Sequence, residues 1–427
     1  MHLASCINPI KEFPLDTVVL AYSGGLDTSV AIKWIKEKYN LDVIALTIDL
    51  GSERNLHEIR QRALDVGAVD ALVRDGRDLF IDYFAFPALQ AGAIYEREYP
   101  LATALGRPLI AKLLVDVAQE RGAKAVAHGC TGKGNDQVRL DVSVNALDPS
   151  LKIIAPVREW KMSRPEEIEY ARQHNIPIPA TVNSPYSTDV NLWGRSIEAG
   201  ILEDPWVEPP ADVWLWTKSV EDAPNVPQYV EIEFVKGIPT AVDGEEMGGA
   251  KLVQLLNDIA GEHGIGRIDH LENRLVGIKS REIYESPAAV VLHQAHHALE
   301  DMTLSRDQAG FKTQVANRMS EMVYNGLMFS SLYQDLRAFV ESSQRNVTGT
   351  VRLKFYKGSS TLVGRKSPKS LYQYELATYD KGDTFDHDAA IGFIKVWGLP
   401  LQTQAKLQLQ SGEANLNALP KAPDIEE

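Results

Sequence analysis

Residues 22–29, with the sequence Tyr-Ser-Gly-Gly-Leu-Asp-Thr-Ser, combine glycines, hydroxyl groups and a carboxylate within one short segment. They follow the apolar run 17–21, and the pattern predicts a β-strand, a glycine-rich turn and the first turn of a helix. Such a turn directs backbone N–H groups and the positive end of a helix dipole toward one point, where a phosphate group binds favourably. Gly24 and Gly25 permit positive φ angles and carry no Cβ atoms that would keep a phosphate at a distance.

The polar side chains of the same segment add to its capacity for phosphate. Ser23, Thr28 and Ser29 supply hydroxyl donors, and Asp27 can cap the helix or hold a metal ion on the phosphates. A plain tight turn before a helix is the alternative for a Gly-Gly pair alone. The P-loop spacing and the dinucleotide-binding fingerprint are both absent. The segment instead resembles the loop of ATP pyrophosphatases, which implies cleavage of ATP between its α and β phosphates and transfer of adenylate.

A second glycine-rich loop, residues 128–139, follows another apolar segment that is predicted to be a strand. Its closely spaced glycines allow the backbone to approach a ligand. Asn135 offers a donor and an acceptor together, and Asp136 can accept from an amine or bind a metal. Arg139 can grip a carboxylate with two parallel hydrogen bonds. An ordinary surface turn is the alternative for such a loop taken alone.

The first part of the chain alternates strand-like apolar runs with amphipathic helices, which is typical of a parallel α/β sheet. In open sheets of this kind, ligands bind beyond the carboxyl ends of the strands. The two glycine-rich loops and residues 47–51 follow three such ends, so we expect them to meet at one rim of the sheet. The predicted strands are residues 17–21, 42–50, 71–74, 124–128 and 152–157, and the predicted helices include residues 29–39, 57–66 and 109–120.

The pattern changes after residues 176–185, where closely spaced prolines forbid a helix and indicate a domain boundary. Beyond this point the sequence predicts a mixed α+β domain. Its expected elements are a strand at 229–234, helices at 251–263 and across 313–339, and a hairpin of 347–356 with 360–363 around Lys357-Gly358. The expected organisation is an N-terminal extension (1–16), a nucleotide-binding α/β domain (17–182), a substrate-binding and multimerisation α+β domain (183–400), and a C-terminal oligomerisation arm or mobile tail (401–427).

The composition narrows the class of protein. The net charge of −14 argues against a long nucleic-acid surface, because phosphate contacts require clustered Lys and Arg. No apolar run approaches the roughly 20 residues that a membrane helix needs, and residues 1–16 show no secretory signal. The two cysteines, Cys6 and Cys130, exclude a disulfide framework and fit a reducing cytoplasm. We therefore expect a cytoplasmic protein with neither a nucleic-acid nor a membrane partner.

Three histidines in the second half, His293, His296 and His297, have a helical spacing that can suit a metal ion. No carboxylate or cysteine supports them at the right spacing, so we interpret them as surface or interface histidines. Residues 95–108 are rich in groups that bind small polar molecules. Composition alone does not distinguish that segment from a solvated connector.

Together these segments resemble the argininosuccinate synthase family, and the resemblance covers residues 18–398. The motifs that carry it are residues 21–29, 129–139, 266–269 with 272–274, and 279–287. It implies an enzyme that joins L-citrulline to L-aspartate with MgATP and releases AMP and pyrophosphate on the way to arginine. It also implies a homotetramer tied by the leucine-bearing tail, and Mg²⁺ that is carried by ATP rather than by direct protein ligands.

The resemblance assigns a role to each residue that matches a family motif. ATP is expected to be bound by Ala21, Tyr22, Ser23, Gly24, Gly25, Leu26, Asp27, Thr28, Ser29, Ile48 and Gly129. L-citrulline is expected to be bound by Tyr99, Thr103, Asn135, Arg139, Ser187, Ser196, Glu272 and Tyr284. L-aspartate is expected to be bound by Thr131, Asn135 and Asp136. The expected catalytic residues are Asp27, Asp136 and Arg139.

The implied reaction begins when the ureido oxygen of citrulline attacks the α-phosphorus of ATP in line and pyrophosphate leaves. The aspartate amine then displaces AMP. Catalysis of this kind consists mainly of positioning and charge stabilisation, to which Lys133 or Arg139 contributes, while Asp136 aims the aspartate amine or keeps it neutral. The chain departs from some relatives at Ala104, where they carry serine, so that hydroxyl must come from Thr103 or be absent.

Other proteins share the first loop and form the alternatives. Enzymes that modify tRNA with ATP need a basic RNA surface, and those that transfer sulfur need cysteines near the nucleotide. The acidic net charge and the lone Cys130 weigh against both. NAD and GMP synthetases require delivery of ammonia, and nothing in this sequence resembles a glutaminase. The non-enzymatic alternative is a nucleotide-binding sensor, which would bind ATP without forming pyrophosphate.

Overall fold

The computed structural model describes residues 16–52, 54–177 and 185–411. The expected domain boundary at residue 182, most of the N-terminal extension and the tail beyond residue 411 lie outside these ranges. Within them the chain divides into two compact units, with the division falling between Leu371 and Tyr372.

The first half of the larger unit alternates strands and helices. Its strands are β1 (Thr17–Ala21), β2 (Asp42–Asp49), β3 (Asp70–Asp75), β4 (Ala125–Ala127) and β5 (Lys152–Ile154). They form one parallel sheet in the order β3-β2-β1-β4-β5, which confirms the expected α/β class. Its helices are α1 (Leu26–Tyr39), α2 (Leu56–Val66), α3 (Arg77–Phe80), α4 (Phe86–Ala91), α5 (Ala102–Arg121), α6 (Asn135–Leu147), α7 (Pro156–Trp160) and α8 (Arg164–Gln173), with a π-helical turn at Ile81–Ala85.

Both faces of this sheet are covered by helices, as the alternation of side chains along its central strands requires. Val18 and Leu20 of β1 pack in one core with residues of α1 and α2. Val19 of β1 and Ile44 of β2 pack in a second core with residues of α5 and α6. Because both faces are buried, the rim at the carboxyl ends of the strands is the part of the sheet that can receive a ligand.

The second half of the larger unit contains two antiparallel sheets and a set of helices. Its strands are β6 (Ser187–Asn191), β7 (Gly194–Glu198), β8 (Gln228–Val235), β9 (Ile238–Val242), β10 (Glu245–Glu246), β11 (Arg267–Asn273), β12 (Lys279–Glu285), β13 (Gly349–Tyr356) and β14 (Ser359–Lys366). Its α-helices are α9 (Gly249–Glu262), α10 (Pro287–Thr303), α11 (Arg306–Tyr324) and α12 (Ser331–Gln344), and short 3₁₀ turns lie at Gly200–Glu203 and Ala211–Val213. The sheet orders are β10-β9-β8-β13-β14 and β11-β12-β7-β6.

One hydrophobic core joins the two halves. Phe80, Leu89 and Leu105 come from the first half, and they pack in the same core as residues of α9, α10 and α11. The segment between β3 and β4 therefore belongs structurally to both halves. This arrangement fixes the sheet β11-β12-β7-β6 relative to the parallel sheet.

The structure corrects two sequence expectations about helices. Helix α5 begins at Ala102 rather than at residue 109, so Pro108 lies inside it. The ring of Pro108 is buried, and its packing offsets the backbone hydrogen bond that proline cannot make. The helical stretch expected across residues 313–339 is two helices, because Gly326 adopts a positive φ of 77° just beyond the end of α11. The predicted hairpin around Lys357-Gly358 is confirmed.

The smaller unit contains two helices within its described part, α13 (Tyr374–Ala377) and α14 (His387–Gln410). The expected boundary between residues 400 and 401 falls inside α14. No side chain of α14 is buried, and many of them are apolar. Across residues 16–52, 54–177 and 185–411, no helix is both long and apolar enough to span a membrane.

Candidate active site

The segment after β1 forms a tight loop that leads directly into α1. Gly24 has a φ of 77°, a conformation that glycine adopts without strain. Gly25 stands at the N-cap position with an extended backbone and no side-chain cap for the helix. The first N–H groups of α1 therefore have no side-chain acceptor at their cap, as an anion-binding helix end requires.

Hydrogen bonds hold this loop in shape. The hydroxyl oxygens of Ser23 and Thr28 lie 3.1 Å apart, and those of Tyr22 and Ser29 lie 3.0 Å apart. The hydroxyl of Thr47, on β2, donates to the carbonyl oxygen of Tyr22 at 3.0 Å. Ser29 is fully buried, so it supports the loop from behind. The loop is preorganised before any ligand arrives.

The second glycine-rich loop lies directly against the first. A Cβ atom on residue 129 would lie 2.9 Å from Cγ2 of Thr28, so only glycine permits this approach without displacement. The expected meeting of the two loops at one rim of the sheet is confirmed. Gly132 lies farther along the same loop, and a Cβ atom there would have no neighbour within 4 Å.

A cavity of about 590 Å³ opens where the strand ends meet. Eight of the residues expected to bind ATP line it, namely Ala21, Tyr22, Ser23, Gly25, Asp27, Thr28, Ile48 and Gly129. Gly24, Leu26 and Ser29 are buried and do not line it. Thr47 and Gly51 line the cavity as well, so the end of β2 contributes to it as the sequence predicted.

Asp27 has two charged neighbours that the sequence analysis missed. Nη1 of Arg164 lies 2.5 Å from Oδ1 of Asp27 and 3.3 Å from Oε2 of Glu167. Burial of Glu167, together with the charge of Asp27, raises the pKa of the Glu167 carboxyl to about 7. Both residues lie at the start of α8, far from Asp27 in sequence, so no local motif marks them.

The residues expected to bind citrulline are gathered from several elements. Ser187, Ser196, Glu272 and Tyr284 all lie on the sheet β11-β12-β7-β6. The Tyr284 hydroxyl donates to Oε2 of Glu272 at 2.7 Å. Tyr99 stacks on Tyr284 with ring centroids 4.3 Å apart.

Thr103 extends this group toward the sheet. Its backbone N–H donates to the Tyr99 hydroxyl at 2.8 Å, and its own hydroxyl lies 3.4 Å from that of Ser196. Ser187 lies at the exposed start of β6, opposite Glu198. Ala104 is fully buried, so a hydroxyl at that position would need a partner inside the core.

Asn135 and Arg139 of α6 reach the same group through Tyr324, a residue that the sequence analysis did not single out. Nδ2 of Asn135 donates to the Tyr324 hydroxyl at 2.8 Å, and that hydroxyl donates to Oε1 of Glu272 at 2.5 Å. Nε of Arg139 donates to the Tyr324 carbonyl oxygen at 2.8 Å. Nη2 of Arg139 is buried without a partner among the described residues, which leaves it available for a ligand carboxylate.

Asp136 links the two parts of the site. Its carboxylate lies 3.0 Å from Nη1 of Arg139 and 2.7 Å from Nη2 of Arg107, which also contacts Asp189 at 3.0 Å. Burial alone would raise the pKa of Asp136, but the two guanidinium groups outweigh it and hold that pKa below its usual range. Arg107 and Asp189 also line the 590 Å³ cavity. Asp136 therefore lies between that cavity and the residues around Glu272 that are expected to bind citrulline.

The remaining loop residues have distinct environments. Thr131 and Lys133 are exposed on the loop. Nδ1 of His128 accepts from the backbone N–H of Cys130 at 3.2 Å, so Nε2 carries the proton and donates to Asp141 at 2.7 Å. Burial raises the pKa of the Cys130 thiol to about 12, which keeps it protonated. A protonated thiol is a poor carrier for sulfur transfer.

The structure corrects part of the expectation for the three histidines of α10. His297 is exposed, as expected for a surface or interface histidine, but His293 and His296 are buried within the chain, so that interpretation is wrong for these two. Nε2 of His296 lies 2.8 Å from Oε1 of Gln344. The described residues contain no group of three or more acidic, histidine or cysteine side chains that could hold a metal ion.

Comparisons with known proteins agree along most of the chain. Residues 17–177 match the arginosuccinate synthase N-terminal HUP domain, and residues 186–404 match the arginosuccinate synthase C-terminal domain. The argininosuccinate synthase of Dehalococcoides mccartyi is 60% identical over 393 residues, which cover 92% of this chain and 97% of the relative. That of Oceanobacillus iheyensis is 56% identical, covering 94% and 96%. That of Bacillus thuringiensis is 55% identical, covering 93% and 99%.

Among solved structures, a U34-tRNA thiolase, NcsA from Methanococcus maripaludis, matches 39% of this chain and 59% of its own with a TM-score of 0.26 and 17% identity. This likeness is too slight to bear on function. The family matches and the relatives at 55–60% identity do show the family, because they cover both halves of the larger unit. The chain belongs to the argininosuccinate synthase family.

Proposed function

We propose that this protein ligates L-citrulline and L-aspartate into L-argininosuccinate in arginine biosynthesis and converts ATP to AMP and pyrophosphate. The observation that carries the proposal is the contact between two binding sites of different chemistry, one suited to phosphate and one suited to an amino acid. A preorganised phosphate loop meets the loop 128–139, which leads into the buried Arg139 and, through Tyr324, to Glu272. A nucleotide sensor has no need of that second binding site.

ATP is proposed to bind with its phosphates at the start of α1. The amides after Gly25 and the hydroxyls of Ser23 and Thr28 supply donors, and Ile48 and Gly129 line the cavity for the adenosine. Mg²⁺ is proposed to arrive on the phosphates, and Asp27 is the carboxylate that the loop itself would offer it. When bound, the ion would neutralise phosphate charge.

Citrulline is proposed to bind through its α-amino acid end. The free Nη2 of Arg139 and the amide of Asn135 suit its carboxylate, and Glu272 suits its ammonium group. Each charge-assisted contact contributes about 1.5–3 kcal/mol. Tyr99, Thr103, Ser187, Ser196 and Tyr284 complete the proposed citrulline site.

Aspartate is proposed to bind beside citrulline, at Thr131, Asn135 and Asp136. The lowered pKa of Asp136 favours a carboxylate that stays ionised at neutral pH. Such a group orients an ammonium or amine by charge, and it is a weak proton acceptor. We therefore assign Asp136 to aiming the aspartate amine rather than to removing its proton.

The proposed reaction proceeds in two balanced steps. The ureido oxygen forms a bond to the α-phosphorus as the bond to pyrophosphate breaks, giving citrullyl-adenylate. The aspartate nitrogen then bonds to the ureido carbon, the carbon–oxygen bond to AMP breaks, and the nitrogen loses a proton. Asp27, Asp136 and Arg139 act by positioning and by stabilising charge.

We also propose a homotetramer that works in the cytoplasm. Support for assembly comes from the exposed apolar side chains of α14, which include Phe393, Ile394 and Trp397. Cys130 is a free cysteine, which is compatible with a reducing compartment.

The experiment that tests the proposed function is pyrophosphate release from MgATP with citrulline alone, with aspartate alone and with both. Citrulline alone should support exchange of labelled pyrophosphate into ATP, and both amino acids together should give steady release with argininosuccinate as product. Release that depends on tRNA would support the tRNA-modifying alternative. Binding of ATP without any release would support a sensor.

A further inference from the structure

Tyr324 occupies the centre of the proposed citrulline site, although no sequence motif marks it. It is the last residue of α11 and is fully buried. Its side chain and its backbone together contact three residues that are assigned here to citrulline. These are Asn135, Arg139 and Glu272.

The hydroxyl of Tyr324 is part of a directed chain of hydrogen bonds. It accepts from the Asn135 amide at 2.8 Å, so its own proton is free to be donated to Oε1 of Glu272 at 2.5 Å. The second oxygen of Glu272 accepts from Tyr284 at 2.7 Å. Two tyrosine hydroxyls therefore fix both carboxylate oxygens of Glu272 in a dry environment, where such bonds are strong.

The backbone and the ring of Tyr324 fix Arg139. A carbonyl in the last turn of a helix has no intrahelical partner, and the Tyr324 carbonyl accepts from Nε of Arg139 at 2.8 Å. The guanidinium carbon lies 4.7 Å from the centre of the Tyr324 ring, which also stacks on Tyr95 with ring centroids 3.6 Å apart. Gly326 keeps this helix end close, since a Cβ there would lie 2.8 Å from Cα of Arg139.

We propose that Tyr324 is a positioning residue that sets the spacing between Glu272 and the pair Asn135–Arg139, and thereby makes the site select a ligand with both an α-ammonium and an α-carboxylate. This inference rests on the proposed function, because citrulline is the ligand concerned. The geometry favours this role because one rigid side chain contacts both Glu272, which suits the ammonium group, and the pair Asn135–Arg139, which suits the carboxylate. Removing the hydroxyl would release Glu272. Asn135 would still be held by the Leu275 N–H, which donates to its Oδ1 at 2.9 Å, and Arg139 by the ring and the backbone carbonyl of Tyr324.

The test compares Tyr324→Phe with Tyr333→Phe as a matched control. Tyr333 is equally buried, but its hydroxyl has no hydrogen-bond partner among the described residues, so the same atom is removed without loss of a bond. Dissociation constants are measured by calorimetry for citrulline and for 5-ureidopentanoate, which is citrulline without its α-amino group. The KM values for ATP and aspartate are measured alongside.

Tyr324→Phe should weaken citrulline binding about 10-fold and change 5-ureidopentanoate binding less than about 3-fold. The ratio of the two constants does not depend on the folded fraction of the sample, because both ligands report on the same protein. Tyr333→Phe should match the wild type for both ligands, and the KM for ATP should not change in either variant.

Equal loss of both ligands in Tyr324→Phe, or no loss of either, would overturn the role of Tyr324. In those cases the wild type would still bind citrulline, and the proposed function would stand. Failure of the wild type to bind citrulline would overturn the proposed function, and the role of Tyr324 with it.

Discussion

Asp27 is the one carboxylate on the phosphate loop, and its half-buried position beside Arg164 suits a role in charge balance around pyrophosphate. Asp27→Ala should lower the rate of ATP–pyrophosphate exchange roughly 10- to 100-fold, because one charge-assisted contact of about 1.5–3 kcal/mol is lost. Asp65→Ala is a suitable control, since Asp65 is exposed on α2 and bonds to Gln61. Exchange at the wild-type rate in Asp27→Ala would refute this role.

The environment of Glu167 leads to a prediction about how the free energy of unfolding depends on pH. Its pKa is raised from the usual 4.5 to about 7 by burial and by Asp27. Because the pKa of Glu167 is raised in the folded state, the Glu167 carboxyl makes its full contribution to the free energy of unfolding below its pKa in the unfolded chain. That contribution is lost as the pH rises through about 7. Glu167→Gln keeps this group neutral at every pH.

The variant should therefore gain about 1–2 kcal/mol in free energy of unfolding over the wild type near pH 8, and almost nothing near pH 5. Urea unfolding at the two pH values measures the difference. Glu169→Gln, an exposed change on the same helix, should show no such dependence. A constant difference at both pH values would contradict the assigned cause.

The position of the loop residues at the cavity could be predicted from the sequence, because the pattern of strand, glycine turn and helix is local. Ser23, Gly25 and Gly129 follow strand ends, and the cavity lies where those ends meet. Tyr324 and Arg164 could not be found this way. Their places in the site depend on how α11 and α8 pack, and a tyrosine or arginine in an amphipathic helix carries no signal of that packing.

At the scale of elements, the contact between the two loops is open to a direct test. Gly129→Ala places a methyl group 2.9 Å from Thr28, so the loops must separate. We expect the KM for ATP to rise about 10-fold or more, since the lining of the cavity shifts. Gly132→Ala is the matched control, because a methyl group there meets no atom within 4 Å and neither glycine has a positive φ. Equal effects of the two substitutions would argue against the contact.

The prediction of elements was most accurate where a strand is buried on both faces. The strand 17–21 matches β1 at both ends, because a short apolar run bounded by charged and glycine residues has few alternatives. The start of α5 was placed too late, at residue 109 instead of Ala102, because Pro108 normally favours the first turn of a helix. Tertiary packing of its ring overrides that preference.

At the scale of the whole molecule, α14 presents large apolar side chains to solvent within the smaller unit. Phe393 and Trp397 stack on each other with ring centroids 5.6 Å apart. If α14 packs between subunits as proposed, replacing both by Ser should reduce the molecular mass measured by light scattering after gel filtration. Replacing Gln402 and Gln404 by Ser is the matched control. An unchanged mass in the first variant would count against an assembly role for α14.

The division of the chain into functional parts was harder to foresee than the fold class. The sequence predicts a parallel sheet followed by mixed α+β structure, and both are present. It does not indicate that residues 80–109 pack in the core of the second half. That packing depends on long-range contacts between apolar side chains, which have no local periodicity to mark them.

The proposed reaction requires the molecule to place the ureido oxygen of citrulline at the α-phosphorus of ATP. The direct test uses citrulline labelled with oxygen-18 in its ureido group, with unlabelled ATP and aspartate, and analyses the AMP by mass spectrometry. If the ureido oxygen attacks the α-phosphorus, the label passes into AMP, one atom for each argininosuccinate formed. AMP without the label, while argininosuccinate accumulates, would contradict it.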